Sequence, residues 1–114
     1  MIAIGEHKLD LETPCYCLDL VGFESNLNRV ASAIQAAGKN WRPHAKSHKS
    51  PEIARRLAQA GAIGLTCAKV SEAEIFVPDV DDLLIAHLPV GRQRLSRIAA
   101  LCRRTAALAT RRDW

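Results

Sequence analysis

Between Trp41 and Pro51 the chain reads WRPHAKSHKSP, and Arg42, His44, Lys46, His48 and Lys49 crowd together there in otherwise apolar surroundings. Three kinds of chemistry suit such a cluster: a solvated basic loop, a patch for phosphates or nucleic acid, or an amine placed for covalent work on a carbonyl. If 41–46 is extended, alternation puts Arg42, His44 and Lys46 on one side, with Pro43 and Ala45 on the other. Ser50-Pro51-Glu52 follows at once and has the form of a helix start: an N-cap, a proline at the first helical position and an early acid. Lys46 therefore falls near the C-terminal end of a strand, where loops and helix N-termini converge in α/β folds and ligands bind. Arg42, His44, Lys49 and the positive end of the next helix all disfavour a protonated amine at Lys46. A neutral lysine amine is what Schiff-base chemistry requires. Pro43 has no donor for a central strand, so the segment is expected to begin there or to bulge.

The elements that must position this cluster follow from periodicity. PCYCLDL (14–20) has the form of a leading strand. Phe23, Leu27, Val30, Ala31, Ile34 and Ala37 then recur at helical spacing, and Gly38 is a natural stop. After the basic stretch, Ile53, Ala54, Leu57 and Ala58 form the apolar stripe of a helix ending at Gly61. AIGLTCAKV (62–70) is expected to be a buried strand, and Ser71 with Glu74 has the form of a capping box for a short helix through Phe76, ended by Pro78. DLLIAHL (82–88) is a further apolar strand. From Arg92 on, Leu95, Ile98, Ala99, Cys102 and Ala106 give another helical pattern. Strands near 41–46, 62–69 and 82–88, each joined to the next by a helix, predict parallel β/α units. No G-x-G-x-x-G follows a strand and no G-x-x-x-x-G-K-[ST] occurs, so dinucleotide and P-loop readings have no support.

These stretches also carry a resemblance, in order from Thr13 to about Gly91. TPCYCLDL, RPHAKSHKS, AKVSEAE and DDLLIAHLPVG resemble the opening segment, lysine motif, turn and following strand of the fold-type III pyridoxal-phosphate enzymes of the D-threonine aldolase and D-serine dehydratase group. These belong with the alanine racemase N-terminal-domain proteins. The resemblance implies an α/β fold, a partial (β/α)8 TIM-type barrel of about three β/α units preceded by a strand and helix. Residues 1–114 would be the N-terminal part of that barrel, with the remaining barrel and the C-terminal β domain absent. It implies that Lys46 is the catalytic residue and holds pyridoxal 5'-phosphate as a Schiff base, with His44 and Arg42 beside it as supporting cofactor-binding residues; His48 is as readily structural. The implied reaction is aldol cleavage of a β-hydroxy-D-amino acid such as D-threonine, or dehydration of D-serine, on a small D-amino acid substrate. Full-length relatives are expected to use a divalent metal whose ligands lie outside this chain, and to be homodimeric. No metal ligand is assigned here. A chain that stops at LATRRDW, where the next barrel strand is due, is expected to be truncated and inactive alone. FVPDVDD departs from the pattern by lacking a glycine turn before DDLLIA.

Composition narrows the alternatives. At 114 residues the chain is at most one domain, 48% hydrophobic and 25% charged, as a globular protein is. No apolar run is long enough to cross a bilayer and no signal peptide opens the chain, so a cytoplasmic protein without a membrane partner is expected. Cys15, Cys17, Cys67 and Cys102 do not form a disulfide framework, and Cys15-x-Cys17 near His7 lacks a second pair at zinc spacing; buried free thiols are the expectation. His87, inside an apolar strand, is expected to be a core or barrel-mouth residue. The net charge of +4 is concentrated in a tail with Arg92, Arg94, Arg97, Arg103, Arg104, Arg111 and Arg112. A basic nucleic-acid-binding module would use the basic stretch at 41–51 and that tail, but aromatic content is only 4% and no DNA-reading motif occurs, so no nucleic-acid partner is expected. The other alternative is a non-catalytic pyridoxal-phosphate-binding protein of the same fold.

Overall fold

A computed structural model of the chain describes residues 7–105 and 107–110. Helix α1 (Leu20–Ala36) is followed by an extended segment, then α2 (Pro51–Gln59), β1 (Leu65–Cys67), α3 (Val70–Phe76), β2 (Asp82–Ile85), α4 (Arg92–Leu101) and β3 (Ala107–Thr110). The three strands lie parallel in the order β1-β2-β3, with Leu65 beside Leu83 and Leu83 beside Leu108. Parallel neighbours joined through a helix are what the alternating apolar runs require.

The segment 41–45 runs along the free edge of β1. Its ladder is short: Ala45 N–H donates to the Thr66 carbonyl and Thr66 N–H donates to the Pro43 carbonyl, both at 2.8 Å, with a single bridge at His44. Pro43 takes part only as an acceptor, as its ring dictates. The expected strand over 41–46 is thus reduced to one bridge. The strands expected over 62–69 and 82–88 contract to the three residues of β1 and the four of β2.

One face of this layer holds the core. Ala45, Leu65, Cys67, Leu83 and Ile85 are buried there, together with Ala54 and Leu57 of α2, Val70, Ala73 and Phe76 of α3, and Leu101 of α4. The other face, with Arg42, His44, Thr66, Asp82 and Leu84, is half-buried. The radius of gyration is 16.3 Å, against roughly 13 Å for a compact domain of about 100 residues. The described residues therefore form an open slab with helices on one side.

The helix ends repay inspection. Ser50 Oγ accepts from Ile53 N–H at 3.4 Å, with Pro51 next and Glu52 in the first turn, as the sequence predicts for α2. Gly38 and Gly61, both at positive φ, follow α1 and α2. The capping box expected from Ser71 and Glu74 is not formed. Helix α3 starts two residues earlier, with Lys69 at the N-cap, and it is Glu72 that reaches back to accept from Ala68 N–H at 2.7 Å. Glu74 instead bonds across to Arg97 of α4.

Two other expectations change. Residues 14–19 form no strand; Asp19 caps α1 by accepting from Val21 N–H, and nothing among the described residues pairs with the segment's backbone. A strand is defined by its partner, and an apolar run alone supplies none. Helix α4 stops at Leu101 with Cys102 as its C-cap, whereas the helical pattern runs on to Ala106, which lies outside the described residues with Arg111 and Arg112. Beyond it, β3 pairs with β2 over four residues, so the next strand of the series has already begun where the sequence reads ALAT.

Candidate active site around Lys46

The lysine lies in a tight turn. After Ala45 the chain leaves the sheet edge, and Lys49 N–H returns to the Ala45 carbonyl at 3.0 Å. Lys49 has φ of 49°, a left-handed conformation that L-residues adopt at a cost of about 1 kcal/mol. That turn presents Lys46 and Lys49 outward, while Ala45 just before is buried in the core. Lys46 is therefore anchored on one side by a buried alanine and on the other by the capped start of α2.

The turn and the leading segment border an open hollow of about 700 Å³, lined by Tyr16, Cys17, Leu18, Lys46, Ser47, His48, Lys49, Ser50 and Ile53. This size falls in the range of small-ligand and cofactor sites. Tyr16, Leu18 and Ile53 supply apolar and aromatic walls. The amines of Lys46 and Lys49, the hydroxyls of Tyr16, Ser47 and Ser50, and the His48 imidazole supply the polar groups.

The three residues marked out by alternation are not used alike. Lys46 lines the hollow; Arg42 and His44 are not part of its lining. His44 acts one step back: its Nδ1 accepts from the Lys46 backbone N–H at 3.2 Å. In the neutral ring the proton then sits on Nε2. Arg42 Nη2 is bonded to Asp82 Oδ2 at 2.5 Å, and the Arg42 carbonyl accepts from Thr66 Oγ1 at 3.2 Å.

His48 does line the hollow. Its Nδ1 accepts from Ser50 N–H at 3.1 Å and its ring meets Phe76 edge-on with centroids 6.1 Å apart. Burial pushes its imidazole below the usual histidine range. Nε2 is shielded and has no partner among the described residues, leaving a neutral ring with an unspent donor. A partnerless buried donor is uncommon in a folded protein and marks a place where a ligand or water completes the structure.

The thiols divide by position. Cys67 is buried in the core, and burial, reinforced by the Glu72 carboxylate, pushes its thiol up to about 12. Cys15 is half-buried and Cys17 exposed at the hollow, where buried positions were expected for both. Burial and a hydrogen bond with Cys17 raise the Cys15 thiol. No group of three metal-ligating side chains occurs among the described residues.

Neither the part taken by Tyr16, Cys17 and Leu18 nor the seat of His48 follows from residue spacing. The first depends on a contact between segments some thirty positions apart; the second depends on Phe76 closing over the ring.

The chain is 40% identical over 100 residues to a D-threonine aldolase of Arthrobacter sp., covering 87% of this chain and 26% of that protein. It is 35% identical over 97 residues to a D-threo-3-hydroxyaspartate dehydratase of Delftia sp., covering 84% of this chain and 25% of that one. The crystal structure of a D-threonine aldolase from Filomicrobium marinum superposes with a TM-score of 0.84 at 42% identity, over 90% of this chain and 28% of that chain. No protein-family model matches the chain. The chain thus spans about a quarter of the length of the curated relatives it matches.

By sequence the chain is similar to D-threonine aldolases, 3-hydroxy-D-aspartate aldolases and a D-serine dehydratase, and by fold to a D-threonine aldolase. No described helix is long and apolar enough to cross a membrane.

Proposed function

We propose that this chain supplies the cofactor-anchoring part of a pyridoxal-phosphate-dependent lyase acting on D-amino acids, with Lys46 as the anchoring residue. The observation that carries this reading is the placement of Lys46. It is the exposed amine of a tight turn, set in a hollow whose other groups suit a flat aromatic aldehyde with a phosphate.

The lining fits the cofactor in kind. Lys46 would hold it covalently through Nζ. Tyr16, Leu18 and Ile53 offer surfaces for its ring, while Lys49, Ser47 and Ser50 offer donors for its oxygens. When bound, the cofactor supplies an electron sink for bond breaking at the substrate Cα. His44 orients Lys46 by accepting from its backbone N–H, and so acts as a positioning residue. His48 keeps a neutral ring beside the turn and offers its Nε2 proton to an acceptor. Once its Nζ is free, Lys46 is the group of this chain able to take a proton from the substrate Cα in the dehydration route. In aldol cleavage of a β-hydroxy-D-amino acid the proton leaves the β-hydroxyl, and we assign that step to none of the described residues.

Turnover by the 114-residue chain alone is expected to be negligible. Lys46 is exposed, and the open hollow leaves water access to the reacting atoms; holding reactants in place and excluding water supply much of an enzyme's rate. Mixing the chain with pyridoxal phosphate and following the visible spectrum tests binding. Supplying D-threonine or D-serine and measuring acetaldehyde or pyruvate tests catalysis. A new absorption band without product is the expected result. No band at saturating cofactor would overturn the binding role, and rapid acetaldehyde release would overturn the expectation of low turnover.

A further inference from the structure

A second cavity, of about 380 Å³, lies at the carboxyl ends of β1 and β2, lined by Ala68, Lys69, Val70, Ser71, His87, Arg94 and Arg97. It shares no residue with the Lys46 hollow. Its walls come from the β1–α3 loop, the residues just after β2, and the first turns of α4.

The charge balance there is one-sided. The two nearby carboxylates are already engaged. Glu74 takes both Nε and Nη2 of Arg97, at 2.7 and 2.5 Å, and Glu72 is turned inward to the Ala68 amide. Lys69 and Arg94 make no ion pair among the described residues, and the Ser71 hydroxyl makes no hydrogen bond. His87 contributes a ring whose Nδ1 is shielded from solvent and has no partner. The cavity thus gathers a free ammonium, a free guanidinium, a free hydroxyl and a ring nitrogen that becomes a donor in the right tautomer. The Glu74–Arg97 pair links α3 to α4 beside the cavity. Convergent donors without acceptors suit one class of ligand, since Arg and Lys together bind oxyanions through charge-assisted hydrogen bonds.

We propose that this cavity binds a small dianionic oxyanion, a phosphate or a dicarboxylate, held by Lys69 and Arg94 with Ser71 and His87 as further donors. The site is independent of Lys46 and of the function assigned to it.

Titrating the chain with inorganic phosphate, and separately with succinate, while following the His87 imidazole resonances tests the proposal. The resonances are assigned with His87→Gln, and sodium chloride at matched ionic strength serves as control. Saturable movement of the His87 signals by phosphate, by succinate or by both is expected. Lys69→Gln and Arg94→Gln should each weaken it about tenfold, as expected for loss of one charge-assisted hydrogen bond. Lys46→Ala should leave it unchanged, which separates this site from the cofactor hollow. Chloride shifting the signals equally, a response that never saturates, or saturation unaffected by both variants would each overturn the proposal.

Discussion

Arg42 and Asp82 form an ion pair, Nη2 to Oδ2 at 2.5 Å, that joins the segment carrying the Lys46 turn to the first residue of β2. Gly64 lies between these elements, one residue before the Leu65–Leu83 pairing, and its Cα faces the Asp82 backbone so closely that a methyl group there would collide with the Asp82 carbonyl. The absence of a side chain at Gly64 lets β2 close against β1 and brings Asp82 within reach of Arg42. Both side chains keep about a quarter to a third of their exposure, so the pair itself contributes only about 0.5–1 kcal/mol. The close approach at Gly64 matters more.

Gly64→Ala should therefore destabilise the fold by about 1–3 kcal/mol, the usual cost of forcing atoms into a filled space. In a domain of this length the melting temperature should fall by roughly 4–8 °C per kcal/mol. Asp82→Asn should cost less than Gly64→Ala. Thermal denaturation of the two variants checks the order; an unaltered melting temperature for Gly64→Ala would mean that β1 and β2 do not approach as described.

The thiols give a separate test of the core. With its thiol pushed up to about 12, Cys67 holds roughly one thiolate in ten thousand at pH 8, while Cys17 and Cys102 are exposed. Alkylation under native conditions followed by peptide mapping should label Cys17 and Cys102 and spare Cys67 until denaturant is added. Early labelling of Cys67 would show that the helices do not cover this face of the sheet.

His48 links stability to pH. Its folded-state value is lowered, so the unfolded chain binds the proton more readily than the folded one, and stability must rise with pH while that difference lasts. The contribution is constant above the ordinary histidine value near 6.5 and is lost as pH falls from there towards the depressed folded value. Urea denaturation at a series of pH values should show stability declining below about pH 6.5. His48→Asn should flatten that decline, keeping a side chain that can accept from Ser50 N–H but does not titrate. An equal slope in both proteins would place the titrating group elsewhere.

How much of this was legible in the sequence depends on the range of the interaction. Ser50, Pro51 and Glu52 start α2 as their types dictate, because a cap is decided within a few residues. The apolar runs that become β1 and β2 were visible because a strand buried among helices must be apolar. Segment 14–19 is a short apolar run of the kind strands use and yet forms none, since pairing needs a second chain segment that local sequence cannot reveal. Ser71 and Glu74 fit a capping box, yet the buried side chain of Glu72 takes that role, and burial of Glu72 is decided by tertiary packing. The four residues ALAT, of which only Thr110 is β-branched, were too few to announce β3 against a helical pattern running into them.

The site shows the same division. The motif around Lys46 pointed to the lysine itself, because its neighbours in sequence fix its place at the end of an extended segment. Alternation grouped Arg42 and His44 with it, whereas the turn after Ala45 takes Lys46 out of strand geometry. His44 remains attached through the Lys46 backbone and Arg42 is committed to Asp82. Tyr16, Leu18 and His48 join the hollow through contacts distant in sequence.

The central claim is that Lys46 anchors pyridoxal phosphate. Reducing a mixture of the chain and the cofactor with borohydride, then locating the modified lysine by peptide mass mapping, tests it most directly. Modification concentrated at Lys46, absent in Lys46→Ala and retained in Lys49→Ala, is the result predicted. Because Lys46 is exposed, its replacement should leave the melting temperature unchanged. Modification spread over Lys8, Lys39, Lys49 and Lys69 in proportion to their exposure, undiminished by Lys46→Ala, would contradict the account.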